Sequence, residues 1–402
     1  MLKLLVQLSL RNLTRHKRRN LMLFAAIAVA VGGVTAMNTL IRGFQADMLD
    51  SAVSNLTGHI KIYAPGYRDD PNIQRGFELA ENFQPDVAAE DLLGWAPRIR
   101  VPAVIMSERE TRGIQLVGVD PAAEVISFLS TVEITGENLT DSNDGRVLIG
   151  RELARQLETK VGRRLVIITQ GADGLNREKG FRIAGTFDSE GTSLEKIFVF
   201  TGLTRLQSML DSHSVTEVSI RLRSEPKTIS VKEVLIDFFV GLEVRDWQEL
   251  EPQAAAMYIF ADGAIFIWFA LMMSALTFGL INTLIAAVME RVKEFGMLRA
   301  IGMRKSVIIA QVVIESTIIM TIGVAVGLVM GYLVFLFFAD GIDLSAFAEG
   351  VEGFGMRTKL VPVMLVSDLV LVATLSLALG VLASVYPAWR AVKITPLEAL
   401  RR

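Results

Sequence analysis

Four long apolar runs constrain this chain more than any other feature of its sequence. The first, Leu21–Ile41, has no charged residue, and each of the others has one acidic residue. A run longer than about 18 apolar residues predicts a transmembrane helix, because about 20 residues cross a bilayer core of roughly 30 Å. We therefore expect four transmembrane helices in a one-plus-three order. The later runs are Tyr258–Met289, Val307–Phe338 and Val361–Val385.

The positions of Lys and Arg predict the orientation of these helices. Residues 1–20 carry six such residues, 290–306 carry five and 387–402 carry four. Loops rich in Lys and Arg stay in the cytoplasm, so both termini and the loop between the second and third helices are predicted to be cytoplasmic. Residues 44–257 then lie on the outer side. They hold 23 basic and 33 acidic residues, a net charge of −10 within a chain of net charge −2.

Composition excludes several classes of function. The chain has no Cys and only three scattered His residues, so we expect no metal site, thiolate nucleophile or disulfide. The near-neutral net charge gives no reason to expect nucleic acid as a partner. No Gly-Lys dipeptide occurs, which excludes a Walker A phosphate-binding loop. Without a nucleophile, base or metal set, the chain is not expected to be an enzyme.

The outer segment is predicted to be a folded α+β domain. Its 214 residues are enough for two subdomains with their own core. Residues 152–158 and 203–210 have helical spacing, and the polar segment 170–180 predicts a hairpin tip. The predicted strands are 59–63, 114–119, 147–149, 165–169, 181–187, 197–200 and 217–222.

The short segment 290–306, between the second and third runs, mixes charged residues with large apolar residues. Such a composition predicts a short helix that docks into another protein, and the alternative is a helix that lies on its own membrane domain. In the third run, Gly323, Gly327 and Gly331 follow a spacing of four that favours close helix packing. Glu315 is expected to pair with a cytoplasmic Arg, and the role of Asp368 stays open.

The ends of the chain carry two further patterns. Residues 1–20 form an amphipathic stripe that predicts a helix in the membrane interface. Pro387 is expected to end the fourth span, and Thr395, Pro396 and Glu398 fit the start of a short helix, Pro396–Leu400. The predicted boundaries are 1–20 (N-terminal helix), 21–43 (first span), 44–257 (outer domain), 258–289 (second span), 290–306 (coupling helix), 307–339 (third span), 340–360 (outer loop), 361–386 (fourth span) and 387–402 (tail).

Several of these segments resemble one known family. EFGMLRAIGMRKSVIIAQVVIES (294–316) and YPAWRAVKITPLEAL (386–400) are similar to the coupling loop and C-terminal signature of the MacB/LolC/LolE branch of FtsX-like ABC permeases. GVDP (118–121), GRVLIGRELARQLETKVGRRL (145–165) and GTFDSEG (185–191) resemble recurring motifs of its periplasmic domain. The resemblance implies an α-helical membrane protein with four transmembrane helices and a large α+β periplasmic domain inserted between helices 1 and 2.

The family also implies a function. The function that the resemblance implies is that of a permease subunit of a type VII ABC transporter. This transporter would lie in the bacterial inner membrane and extract lipoproteins from its outer leaflet. Two copies of a separate ATPase would supply ATP and Mg, and a second permease chain, identical or paralogous, would complete the complex. The chain itself would hold no cofactor. A periplasmic chaperone or adaptor is a further possible partner beside membrane lipids, although loop 170–180 is short and polar and lacks Pro where the LolC type has its chaperone hook.

The resemblance assigns two groups of residues. The first would contact the ATPase, with Phe295, Leu298 and Ile301 as apolar anchors. The second would line a central apolar cavity for acyl chains, enclosed by the first and second helices of both permease chains. The ATPase group is Glu294, Phe295, Gly296, Leu298, Arg299, Ala300, Ile301 and Gly302, and the cavity group is Met37, Leu40, Ile41, Tyr258, Ile259, Phe266, Ile267 and Phe269.

Two other functions fit the same architecture. A MacB-like exporter would move peptides or other amphiphiles from the periplasm and would bind a periplasmic adaptor. An FtsX-like regulator would activate a cell-wall hydrolase through its outer domain, although the large outer domain weighs against this alternative.

Overall fold

The computed structural model describes residues 17–80, 83–189, 194–223, 225–343 and 359–393. These residues form two units, which we call the helical unit (17–47, 258–343 and 359–393) and the sheet unit (within 48–257). Most of the predicted N-terminal amphipathic helix and all of the predicted helix Pro396–Leu400 lie outside the described residues.

In the described part of the chain, the first helix precedes the strands of the sheet. The helices are α1 (Lys17–Ser54), α2 (Arg151–Gln156), α3 (Leu194–Ile197), α4 (Leu203–Leu210), α5 (Thr228–Phe238), α6 (Trp247–Leu250), α7 (Pro252–Glu290), α8 (Val292–Ala300), α9 (Lys305–Phe337) and α10 (Val366–Lys393). The strands are β1 (Ile60–Tyr63), β2 (Leu92–Met106), β3 (Thr111–Val119), β4 (Glu133–Gly136), β5 (Arg146–Gly150), β6 (Arg164–Gln170), β7 (Asn176–Asp188), β8 (Phe198–Gly202), β9 (Glu217–Leu222), β10 (Glu243–Asp246), β11 (Ile342–Asp343) and β12 (Lys359–Leu360).

Among the residues that the structure describes, four helices are long and apolar enough to cross a membrane, namely α1, α7, α9 and α10. Each of them is longer than the apolar run that predicted it, because polar residues extend the helices at their ends. The expectation that Pro387 ends the last of them is wrong, since α10 continues through this residue to Lys393. Proline removes one backbone hydrogen bond, a loss that helices of membrane proteins often accommodate through neighbouring groups.

Helices α1 and α9 approach each other along a row of three glycines. A Cβ atom built on Gly327 would lie 2.7 Å from Val31 Cβ and 2.8 Å from the carbonyl oxygen of Ala28. On either side of it, Gly323 and Gly331 face Ile27 and Thr35 in the same way, with contacts of 2.6 and 2.5 Å. The missing side chains therefore let α1 lie directly on the backbone of α9.

The replacement Gly327→Leu is expected to push α1 and α9 apart and to lower the thermal stability of the helical unit. Forcing extra methylene groups into a packed interface costs about 1–3 kcal/mol. The measurement is thermal unfolding of the detergent-solubilised chain. Gly279→Leu in α7 is the matched control, because a Cβ at Gly279 meets no atom within 4 Å. Equal melting temperatures for the two variants would contradict the packing role.

Six strands of the sheet unit pair in a closed ring. The order around the ring is β2, β3, β8, β5, β7, β6 and back to β2. All six strands contribute to one buried apolar cluster, so the ring encloses a packed core. The first half of β2 leaves the ring and pairs with β9, which continues the sheet through β1 to β10. Helix α5 supplies Val231 and Leu235 to the core of this second part.

Strand β2 joins the two parts of the sheet, and the sequence did not predict it. Pro97 and Pro102 interrupt its pattern, and Gly94 lies at an irregularity in its pairing with β9. Proline and glycine normally mark loops or strand edges, which is why the pattern failed. The hairpin tip predicted at 170–180 is shorter in the structure, since β6 runs to Gln170 and β7 begins at Asn176.

The guanidinium of Arg98 on β2 is the centre of a buried polar network. It donates to both carboxylate oxygens of Glu124 at 2.6 and 2.9 Å, and to the carbonyl oxygen of Leu56 at 2.7 Å, just beyond α1. It also donates to Ser219 Oγ at 2.8 Å on β9. Buried charges are tolerated when they are paired and hydrogen-bonded, and Arg98 is paired with Glu124 and makes four hydrogen bonds. The network therefore ties the chain that leaves α1 to two strands of the sheet.

His59, next to β1, is buried in its neutral form. Its Nδ1 accepts a hydrogen bond from the backbone N–H of Leu222 at 3.2 Å. Burial, and secondarily the positive charge of Arg221, lowers the pKa of His59 from 6.5 to about 4, against a smaller opposing effect of Asp50. Between these two pH values an unfolded chain binds a proton at this residue and the folded chain does not.

Folding stability of the sheet unit is therefore expected to fall as the pH decreases from 6.5 to about 4. The shift of the His59 pKa corresponds to roughly 3 kcal/mol, since one pKa unit equals about 1.4 kcal/mol. The replacement His59→Gln should flatten this pH dependence, and His213→Gln, at an exposed position, should not. Urea unfolding monitored by tryptophan fluorescence at several pH values measures the effect. An unchanged slope in His59→Gln would refute this assignment.

Candidate functional site

Helix α8 is the predicted coupling helix and lies between α7 and α9 in the chain. It spans Val292–Ala300 and is closed by Ile301 at its C-terminal cap. Gly302 follows with a φ of +99°, a left-handed conformation that favours glycine, and its N–H donates to the carbonyl oxygen of Arg299 at 3.0 Å. The glycine turns the chain sharply, so that α9 begins at Lys305.

One face of α8 packs against the helical unit itself. Phe295 is only 2% exposed and belongs to an apolar cluster with Val288, Ile308 and Val312. Leu298 is partly buried against the same cluster, and Gly296 is buried. Phe295 was expected to be an anchor for a partner protein, but in this structure its side chain is enclosed by its own chain. The alternative of a helix that lies on its own membrane domain therefore describes this face.

The opposite face of α8 exposes a second set of apolar residues. Ile301 is 85% exposed and Met297 is 51% exposed. Lys293, Ala300 and Gly302 are also exposed, whereas Glu294 and Arg299 are half-buried. Met297 was not among the predicted residues. This short helix therefore has two apolar stripes, and the structure shows which of them packs against the helical unit.

The residues predicted to line an apolar cavity lie on α1 and α7, with unequal exposure. Three residues of α7, Ile259, Phe266 and Ile267, have strongly exposed side chains, and Met37 of α1 is also exposed. Phe269 instead packs against the core of the helical unit. The remaining predicted residues, Leu40, Ile41 and Tyr258, are half-buried. Much of this group is thus an open apolar surface in the single chain.

Arg42 links α1 to two other helices beside this surface. Its Nε donates to Asp368 Oδ2 of α10 at 2.9 Å, and its Nη1 donates to Asp262 Oδ1 of α7 at 3.0 Å. Gln45 adds a hydrogen bond from Nε2 to the carbonyl oxygen of Tyr258 at 3.1 Å. Asp368 was a predicted polar residue of the membrane segment with an open role, whereas Arg42 was not among the predicted residues. The sequence does contain a signal for these ion pairs. Arg42 directly follows the first apolar run, Asp262 lies near the start of the second run and Asp368 lies near the start of the fourth.

Glu315 of α9 has the arginine partner expected for it. Arg291 Nη1 donates to Glu315 Oε2 at 2.9 Å, and both side chains are nearly buried. Among the described residues, no group of three or more His, Cys, Asp or Glu side chains is placed to hold a metal ion.

Two family models match this chain. The MacB-like periplasmic core domain covers residues 21–237, and the FtsX-like permease C-terminal domain covers residues 265–396. The first match alone spans more than half of the chain.

Characterised relatives match over nearly the whole length of the chain. The lipoprotein-releasing system transmembrane protein LolC of Xylella fastidiosa is 24% identical over 98% of both chains. The protein LolE of the same system in Haemophilus influenzae is 23% identical over 94% of this chain and 93% of its own. The macrolide export ATP-binding/permease protein MacB 2 of Aeromonas hydrophila is 23% identical over 98% of this chain but only 60% of its own. The chain therefore belongs to the family of proteins with a MacB-like periplasmic core domain, and its C-terminal part is an FtsX-like permease domain.

Proposed function

We propose that this chain is the permease subunit of an ABC transporter that releases lipoproteins from the outer leaflet of the bacterial inner membrane. The observation that carries this proposal is the match to LolC over 98% of both chains. LolC and LolE are named as transmembrane proteins of a lipoprotein-releasing system. The four long apolar helices of this chain support a role in the membrane.

ATP hydrolysis belongs to a separate subunit in this proposal. The chain covers only 60% of MacB 2, whose name includes an ATP-binding function. It also has no Gly-Lys dipeptide and therefore no Walker A loop. Two copies of a partner ATPase, with ATP and Mg, would drive two permease chains, either identical or paralogous.

The proposed topology places one transmembrane helix before the sheet unit and three after it. Both termini and α8 face the cytoplasm, because Lys and Arg are concentrated there. The sheet unit, with its excess of acidic residues, then lies in the periplasm. This topology puts α8 on the side of the membrane where an ATPase has access to it.

The exposed face of α8 is the proposed ATPase contact. Ile301 and Met297 supply the apolar anchors, and the exposed basic residues Lys293, Arg304 and Lys305 surround them. An exposed apolar residue within a polar rim is typical of a protein interface. Phe295 and Leu298 instead pack against the apolar cluster of the helical unit and hold α8 in place.

The exposed apolar surface of α7 and α1 is the proposed path of the acyl chains. Transfer of an acyl chain from lipid to water costs about 0.8 kcal/mol per CH₂ group, so a lipoprotein anchor needs a sheltered route. In a pair of permease chains, Ile259, Phe266 and Ile267 would face a shared cavity together with Met37. Movement of the helices that follows ATP hydrolysis would then expel the anchor towards the sheet units and a periplasmic chaperone.

A lipoprotein-release assay tests this function directly. The full chain is co-purified with its ATPase and reconstituted into proteoliposomes that carry a triacylated lipoprotein. We expect ATP-dependent transfer of the lipoprotein to a soluble acceptor, and no transfer with a non-hydrolysable ATP analogue. A complex that hydrolyses ATP but releases no lipoprotein would refute the proposal.

The similarity to MacB 2 favours a second candidate, an exporter of amphiphiles that works with a periplasmic adaptor. ATP-dependent export of such a compound, together with co-purification of an adaptor instead of a lipoprotein chaperone, would identify this alternative.

The replacement Ile301→Asp is expected to abolish binding of the ATPase without unfolding the chain. A carboxylate at the most exposed apolar position of α8 would have to be desolvated in the interface, which costs several kcal/mol. Co-purification of the ATPase with the variant measures the effect. Val240→Asp is the matched control, since Val240 of the sheet unit is 88% exposed. If Ile301→Asp and Met297→Asp both retain the ATPase, the contact lies elsewhere.

A further inference from the structure

A buried guanidinium holds α8 to the third long helix of the chain. Arg291 follows the last residue of α7 and precedes α8, and its side chain is 8% exposed. Its Nη1 donates to Glu315 Oε2 of α9 at 2.9 Å, and its Nε donates to Glu294 Oε2 of α8 at 3.1 Å. The guanidinium carbon also lies 5.2 Å from the centre of the Phe295 ring. One side chain thus contacts two residues of α8 and one of α9.

The surroundings of this ion pair belong to several helices of the helical unit. A cavity of about 20 Å³ lies beside Arg291 and Glu315, a volume that suits a single water molecule. The cavity is lined by Leu23 of α1, Leu284 and Val288 of α7, and Val312 and Ser316 of α9. The pair therefore lies at the junction where α1, α7, α8 and α9 meet.

Stability alone does not explain an ion pair in this position. A buried ion pair is often no more stabilising than well-packed apolar residues of the same volume, because desolvation offsets the Coulomb attraction. What the pair adds is geometric specificity. A hydrogen bond of 2.9 Å is lost when its atoms separate by less than about 1 Å, whereas apolar contacts have no preferred direction. Separation of α8 from α9 would leave Glu315 as an unpaired charge in apolar surroundings.

We propose that Arg291 is a positioning residue that makes α8 and α9 move as one body. A displacement imposed on α8 would reach α9 through Glu315 and then α1 through the glycine row. The hydrogen bonds from Arg291 to Glu294 and Glu315 are the evidence for the link between α8 and α9. Its use in transport rests on the proposed function, in which an ATPase moves α8.

Distance measurements within the chain test the link without any partner. The natural chain has no Cys, so Lys293→Cys on α8 and Thr321→Cys on α9, both exposed positions, introduce the only two spin-label sites. In lipid nanodiscs, we expect one narrow distance distribution in the otherwise unchanged chain. The double replacement Arg291→Met with Glu315→Leu should preserve the melting temperature but broaden this distribution, because the apolar pair packs without fixing the register.

Two further variants separate the link from general stability. Glu315→Met removes the oxygen that accepts from Arg291, has a side chain of similar length and should also broaden the distribution, even if the double variant fails to fold. Asp368→Asn on α10 weakens the ion pair with Arg42 of α1 and should leave the distribution between α8 and α9 narrow. A narrow distribution in a folded double variant, or in Glu315→Met, would overturn the proposal.

A second measurement tests the use of the link in transport. In the reconstituted complex, the double variant should retain the ATPase and hydrolyse ATP, but it should lose release of lipoprotein per ATP consumed. Unchanged release per ATP would refute the transmission role. The outcome for Ile301→Asp is independent of this result, since it concerns only whether α8 is the ATPase contact.

Discussion

Charged groups within the apolar helices must be paired, and this requirement organises the helical unit. Arg42 holds carboxylates of α7 and α10, whereas Arg291 holds Glu315 of α9. The two arginines lie near opposite ends of the unit, because Leu23 borders the Arg291 cavity and Arg42 follows about five turns later along α1. An unpaired charge at either place would be costly, so the pairs fix how the helices are rotated about their axes.

The sheet unit depends on a similar device. Arg98 is fully buried and binds Glu124, the carbonyl oxygen of Leu56 and Ser219, which belong to distant parts of the sequence. Arg221 pairs with Asp50 and donates to Ser54 Oγ, in the last turns of α1. The end of α1 is therefore attached to strands β2 and β9 by guanidinium groups.

The failures of sequence-based prediction have physical causes that can be assigned to particular residues. Strand β2 was missed because Pro97 and Pro102 look like loop residues, although its pairing with three other strands tolerates them. Phe295 was assigned to the partner surface because α8 has two apolar stripes, and only packing against Ile308 and Val312 shows which one is enclosed. Arg42 was overlooked because its partners, Asp262 and Asp368, are separated from it by more than 200 residues.

The four long apolar helices and most strands of the sheet could be predicted from the sequence alone. These features arise from local periodicity and from the free energy of transfer between water and lipid, which act on neighbouring residues. The folded chain was needed to show the closed ring around β2, the face of α8 that stays exposed and which arginines pair with Asp368 and Glu315. These features depend on contacts between residues far apart in the chain, and no local pattern specifies which distant side chain meets a buried charge.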